Sequence, residues 1–109
     1  LPRTYKFSIL SPGGKTFEGE VEHVGAPGAK GRFGVLPGHA PMIAIVEPGL
    51  CLVRVSGTTR PFYTGEGVLE VSRDEVVMLV DEAEPLESPD DAKARVAERK
   101  RSLAGGKRP

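Results

Sequence analysis

The chain reads as a mainly β protein, a sandwich or barrel of many short strands closed by one C-terminal helix, and three features of the sequence say so. Gly and Pro are plentiful, 14 and 10 in 109 residues, and nearly all of them fall before residue 90, cutting that stretch into pieces too short for helices. Between the breakers, apolar and polar residues alternate with the period of a half-buried strand. Past Ser88 the pattern changes: from Asp90 to Leu103 there is no Gly or Pro, and Ala and long straight side chains dominate. A chain of this length makes one compact domain and buries roughly 60 to 70% of the surface its unfolded form exposes, enough for one core without covalent staples.

Taken in order, Thr4 to Leu10 places Tyr5, Phe7 and Ile9 on one face, and Pro12-Gly13-Gly14 supplies a turn that needs positive φ. The return arm, Thr16 to Val24, puts Phe17, Gly19, Val21 and His23 inward and Glu18, Glu20 and Glu22 on a solvated acidic face. Gly25 to Gly31 reads as a breaker cluster. Further strands are expected at Arg32 to Leu36, Met42 to Val46, Leu50 to Ser56, Arg60 to Thr64, Gly67 to Ser72 and Glu75 to Val80. The connectors Gly57-Thr58-Thr59 and Arg73-Asp74 are short enough to make their flanking strands antiparallel neighbours. Ser88-Pro89-Asp90-Asp91 then reads as an N-cap, a proline at the first helical position and two carboxylates at the positive end of the helix dipole, while Gly105-Gly106 is expected to stop the helix. Its apolar stripe of Ala92, Val96 and Leu103 is thin, so the helix can lie on a surface, docked marginally, but cannot form a core. The division is a sandwich domain over residues 1–86 and a helical segment over 87–109.

Composition narrows function. Equal numbers of basic and acidic residues, 15 of each, conceal a body (residues 1–89) with 8 basic and 12 acidic side chains and a tail with 7 basic and 3 acidic. The basic tail residues Arg95, Arg99, Lys100 and Arg101 read as a solvated helix face, and an acidic body with six aromatic residues offers no platform for nucleic acid. The one cysteine, Cys51, excludes an intrachain disulfide and fits a small buried apolar role in a reducing compartment. No apolar run approaches the ~20 residues that span a bilayer, and the first residues lack the layout of a signal peptide, so membrane contact is expected through a partner. His39 and His23 have no acidic residue at metal-ligand spacing, and the glycines between Gly25 and Gly38 lack the Lys-Ser/Thr of a phosphate loop. No catalytic residue, metal or cofactor is therefore assigned. A stand-alone β-sandwich module binding a ligand or a protein is the alternative, and it calls for a pocket of clustered aromatic or polar groups.

What stands out is Gly31-Arg32-Phe33-Gly34-Val35-Leu36-Pro37-Gly38-His39-Ala40-Pro41, a rigid loop with apolar content and so a contact surface. This stretch resembles the signature loop of the ε subunit of rotary F-type ATP synthases, δ in mitochondria. Pro48-Gly49-Leu50, Tyr63 to Val71 and Val77 to Glu84 are similar to further segments of that family, and the opening Tyr5-Lys6-Phe7 with Phe17-Glu18-Gly19 follows its first hairpin. The resemblance covers residues 4 to 103.

It implies a flattened antiparallel sandwich of ten strands and, in the family, two C-terminal helices, of which the second is missing from this sequence. It also implies a non-catalytic rotor subunit of the central stalk, linking γ to the c ring and coupling proton or sodium flow to ATP synthesis in the α/β head, which it touches indirectly. Pro37, Gly38, His39, Ala40, Pro41 and Met42 would face γ; Lys30, Gly31 and Arg32 would meet the c ring, although family members often carry an acid where Arg32 stands. The family's nucleotide pattern falls on Asp90 and Lys93 but keeps only the Asp and the final Ala, Ala94. Without the second helix, little inhibition by that route is expected. The implied place is the cytoplasmic face of a bacterial plasma membrane, held peripherally.

Overall fold

The computed structural model describes residues 3–106. Ten strands, β1 (Tyr5–Ser11), β2 (Gly14–Val21), β3 (His23–Gly28), β4 (Gly31–Val35), β5 (Met42–Val46), β6 (Gly49–Val55), β7 (Thr58–Thr64), β8 (Gly67–Val71), β9 (Glu75–Val80) and β10 (Ala83–Pro85), precede the helix α1 (Asp91–Gly106). They form one hydrogen-bonded sheet in the order β10-β7-β6-β3-β5-β8-β9-β1-β2, with β4 beside β3. The sheet turns over at β3, whose start pairs with β6 (His23 opposite Arg54) while its last residue, Gly28, pairs with Val46 of β5. The two halves so made close over Phe7, Ile9, Val24, Val46, Val53, Phe62, Leu69 and Met78. At the far edge Phe17 of β2 meets Phe62 of β7 edge-on at 5.7 Å, with the Arg60 guanidinium 5.4 and 5.5 Å from the two ring centroids. The fold is the expected sandwich with one helix, nearly closed, and a single parallel pair, β1 with β9, interrupts its antiparallel pattern.

Ser56 and Gly57, both at positive φ (50° and 79°), form the two-residue turn between β6 and β7, the hand that matches strand twist. Three expectations change. The arm Thr16 to Val24 is two strands, because the chain leaves β1 for β6 at Glu22, whose N–H donates to the Arg54 carbonyl at 2.8 Å. The inward phase therefore slips: Val21 and Val24 are both buried, and His23 turns outward. Glu22 is drawn in with it, accepting from the Gly57 N–H at 3.0 Å and lying 3.6 Å from Arg54, rather than sitting on a solvated face.

Gly25 to Gly28 is strand, not breaker. A Cβ on Gly28 would lie 2.7 Å from the Gly31 carbonyl oxygen, and one on Gly34 2.6 Å from the His23 ring, so these glycines permit close approach of β3 and β4 rather than irregular backbone. Strand β10, only three residues long, escapes periodicity and exists because its edge pairs with β7 (Glu84 opposite Tyr63). The helix begins as expected, Ser88 Oγ accepting from the Asp90 N–H at 3.3 Å, but continues through Gly105 to Gly106, because glycine lowers helix propensity by only about 1 kcal/mol and does not forbid the conformation.

Candidate docking surface

The outer face of β5, β8, β9 and β1 carries an apolar row where a soluble sandwich is usually polar, with Glu70 exposed beside it, opposite Ile43. Along β5 the alternation sends Met42, Ala44 and Val46 toward the core and leaves Ile43 and Ile45 70% and 65% exposed. Pairing extends the row sideways: Ile45 lies opposite Val68, Val68 opposite Leu79, and Leu79, 45% exposed, opposite Leu10. Leaving such side chains in water forgoes about 1.5 to 3 kcal/mol each relative to burial, and contiguous exposure of this kind marks a contact surface.

The signature stretch is only half loop: Gly31–Val35 is β4, and the loop itself, Leu36 to Pro41, feeds directly into β5. Leu36 is 61% exposed, Gly38, Ala40 and Pro41 are exposed, and Pro37 and His39 are half-buried. Its shape is held locally: the His39 N–H donates to the Leu36 carbonyl at 3.1 Å, the His39 Nδ1 lies 2.8 Å from the Ala40 carbonyl, and Gly38 takes φ +83°. The Tyr5 hydroxyl donates to the Val35 carbonyl at 2.7 Å, anchoring the loop's root, and burial raises that phenol above its usual range. Met42 packs against the core, so its neighbours Ile43 and Ile45 present the apolar surface instead.

Lys30 and Gly31, both exposed, sit at the tip of the β3–β4 hairpin, with Gly31 at φ +119°. Arg32 folds back from that tip to donate to the Leu50 carbonyl at 2.8 Å. Hairpin tip and signature loop thus occupy opposite ends of β4. Asp90 and Lys93 come together, lining a groove between α1 and the start of β6 with Leu50, Val96, Ala97 and Lys100. His23 and His39 are not brought together in any such group, and among the described residues no cluster of His, Cys, Asp or Glu could hold a metal ion. Cys51 is fully buried, which pushes its thiol up to about 12. No helix among the described residues is long and apolar enough to cross a membrane.

One group escaped the sequence reading. Arg99 is not on a solvated face: its side chain is 13% exposed and lies between two turns of the sandwich, 3.2 Å from Glu66, 2.7 Å from Asp81 and 2.5 Å from Glu82. Tyr63 donates to the same Glu82 at 2.9 Å, and Arg95 holds Glu84 at 2.6 Å. Hydrogen bonding to Asp81 raises the Arg99 pKa further, and burial together with Glu82 pushes the Tyr63 phenol up to about 12. The signal was there, two arginines four apart on one helix face and four acids in and beside the turns, but nothing in local periodicity says which turn a helix will cover.

Residues 4–86 match the family model of the ATP synthase delta/epsilon chain β-sandwich domain. The chain is 38% identical over 104 residues to the ATP synthase epsilon chain of Rhodopseudomonas palustris, covering 94% of this chain and 77% of that one. It is 40% identical over 89 residues to that of Nitrobacter winogradskyi, covering 82% and 66%. The backbone superposes with a TM-score of 0.74 on a chain of the Euglena gracilis mitochondrial ATP synthase, across 94% of this chain and 66% of that one, at 22% identity, a likeness of fold. The chain spans two thirds to three quarters of the length of these relatives. A sandwich of this topology, a rigid Gly-Pro loop feeding an outward apolar strand, and these matches lead to one conclusion: the chain belongs to the ATP synthase delta/epsilon family.

Proposed function

We propose that the chain is a non-catalytic subunit of the rotary ATP synthase, seated in the central stalk and joining γ to the c ring, so that ion flow is passed as torque to the α/β head. The observation that carries this is the outward row of Ile43, Ile45 and Leu79 beside the signature loop. It is an area suited to a protein partner, and torque transfer needs stiffness and contact area more than reactive groups. In this reading γ covers that row together with Pro37, Gly38, His39, Ala40 and Pro41, and Met42 supports the strand from inside. The opposite end of β4, with Lys30, Gly31 and Arg32, meets the polar loops of the c ring. Asp90 and Lys93 carry no role in it. The subunit sits peripherally at the cytoplasmic face of the plasma membrane, with no segment of its own inserted.

The test is recovery of partners from detergent-solubilised membranes on the tagged chain. Wild type is expected to bring γ, α, β and c, and the Ile43→Asp/Ile45→Asp chain to lose them while still unfolding cooperatively. Equal recovery by both chains would remove this face from the interface.

A further inference from the structure

The glycines of β3 do not all serve packing. A Cβ on Gly28 would collide with backbone, whereas one on Gly25 would meet nothing closer than 3.6 Å, an ordinary contact, and Gly25 is not at positive φ. Its bareness leaves a hollow. Gly25 lies between Gly34 of β4 and Leu52 of β6, and two residues back His23 stands opposite Arg54, itself opposite Thr59 of β7. A groove of about 340 Å³ follows on the outer face, bordered by His23, Arg32, Phe33, Arg54 and Thr59, and among the described residues no carboxylate lines it. Arg32 reaches over the hollow: Nη1 donates to the Leu50 carbonyl at 2.8 Å, while Nη2 has no acceptor among the described residues and stands 3.6 Å from the point a Gly25 Cβ would occupy. The His23 ring is close to the same point, its Cε1 at 3.7 Å. On β6, Arg54 has one acidic neighbour, Glu22 at 3.6 Å from Nε, which lines a separate hollow with Arg3 and Gly57.

We infer that this groove binds a phosphate group above Gly25, with Arg32 Nη2, the Arg54 guanidinium, a His23 ring N–H and the Thr59 hydroxyl donating to its oxygens. A carboxylate offers two oxygens in one plane and a single charge. A phosphate offers oxygens in a tetrahedron and nearly two charges at neutral pH, which suits two arginines and donors arriving from four strands. Because those donors are side chains, and not the backbone amides of a phosphate loop, the sequence carries no phosphate-loop pattern here. Occupied, the groove ties the β3–β4 hairpin, through Arg32 and His23, to β6 and β7 through Arg54 and Thr59. The inference does not depend on the reading of the apolar row or of the hairpin tip, since the Arg32 side chain turns away from that tip and into the groove.

Amide chemical shifts of the isotopically labelled full chain, followed at constant ionic strength, test it. Inorganic phosphate is expected to move the Gly25, Gly34 and Arg54 amides saturably, acetate to do so far more weakly, and chloride not at all. Glycerol 3-phosphate separates the sources: tighter binding than inorganic phosphate marks a phosphorylated metabolite as the ligand, weaker binding the free ion. Arg32→Gln is expected to weaken phosphate binding about tenfold. Gly25→Ala places a methyl group where the anion would sit, with only ordinary contacts to its neighbours, and is expected to weaken it at least as much in a chain that still folds. Arg101→Gln, the same loss of charge at an exposed helix position, is expected to change nothing. Shifts that rise without saturating, or acetate binding equal to phosphate, would overturn the inference, and so would equal weakening by Arg101→Gln, the mark of a general charge effect. Should Arg32→Gln unfold the chain, Gly25→Ala decides alone: phosphate affinity equal to wild type removes the site.

Discussion

Arg99 meets Asp81 fork to fork, Nη2 to Oδ2 at 2.7 Å and Nη1 to Oδ1 at 3.2 Å, so that a helix with little apolar surface of its own is tied to the turn between β9 and β10. The docking face of α1 is Ala92, Arg95, Val96 and Arg99, half of it arginine. Bidentate pairs of this kind are stronger than single hydrogen bonds, and Arg99 is mostly withdrawn from solvent. Arg99→Ala is expected to cost about 1 to 3 kcal/mol of helix docking while the strands stay folded. Amide exchange in α1 that is unchanged in the variant would show that the apolar contacts of Ala92 and Val96 suffice.

Neighbouring positions on β5 should behave oppositely. Ile43 is outward and exposed, so Ile43→Asp is expected to cost only about 1 kcal/mol, from strand propensity and the like charge of Glu70 opposite it. Met42 packs against the core, and Met42→Asp is expected to destabilise by about 2 to 5 kcal/mol through a lost side chain and a charge placed against apolar neighbours. Chemical denaturation of the two variants checks the alternation, and similar losses for both would contradict it.

Gly67 opens β8 opposite Val80, and a Cβ there would lie 1.9 Å from the Leu79 carbonyl oxygen. Unlike a flexible side chain, that backbone atom can move only by separating β8 from β9, the strands that carry the apolar row. Gly67→Ala is expected to cost about 2 kcal/mol or more and to loosen the β8–β9 amides first. Gly57→Ala, in open space though at positive φ, should cost no more than about 1 to 2 kcal/mol. The order of the two melting temperatures is the check.

Two buried acids predict alkaline behaviour. The Cys51 thiol is pushed up from 9.0 to about 12 by burial, and the Tyr63 phenol from 10.0 to about 12 by burial and its bond to Glu82. Above pH 9 the unfolded chain releases these protons while the folded chain keeps them, so the unfolded state binds fewer and stability falls as pH rises. The contribution is complete below pH 9 and is lost as pH climbs toward 12. Denaturation midpoints between pH 8 and 11 are expected to decline, and less steeply in Cys51→Ala, although that variant starts from a lower value because of its cavity. A slope identical to wild type would show that Cys51 titrates normally. The same burial predicts that Cys51 stays unreactive to thiol reagents until the chain unfolds.

Much of the architecture was legible because strand alternation and turn chemistry are local. Phe7 and Ile9 on one face, the bounds of β5 and β9, the turn at Gly57 and the Ser88 cap all follow from residues within a few positions of one another. The Gly-Pro-rich stretch from Gly31 to Pro41 was visible for the same reason and pointed to the family, though its first five residues are strand β4 and only Leu36 to Pro41 is loop. What the tertiary structure alone decided is every feature that depends on which distant strand lies alongside. The phase slip at Glu22 exists because the chain changes partner from β1 to β6, and three-residue β10 exists because β7 offers it an edge. Gly28 looks like a breaker, and Gly34 like an arbitrary strand glycine, until β3 and β4 are seen to need their missing side chains. Whether Met42 or Ile43 turns outward is a question of parity that one residue of register reverses, and whether Arg99 meets water or three carboxylates depends on where a helix lands. Charge and periodicity list the groups able to pair, and only the packed chain, by excluding water from some of them, selects the pairs that form.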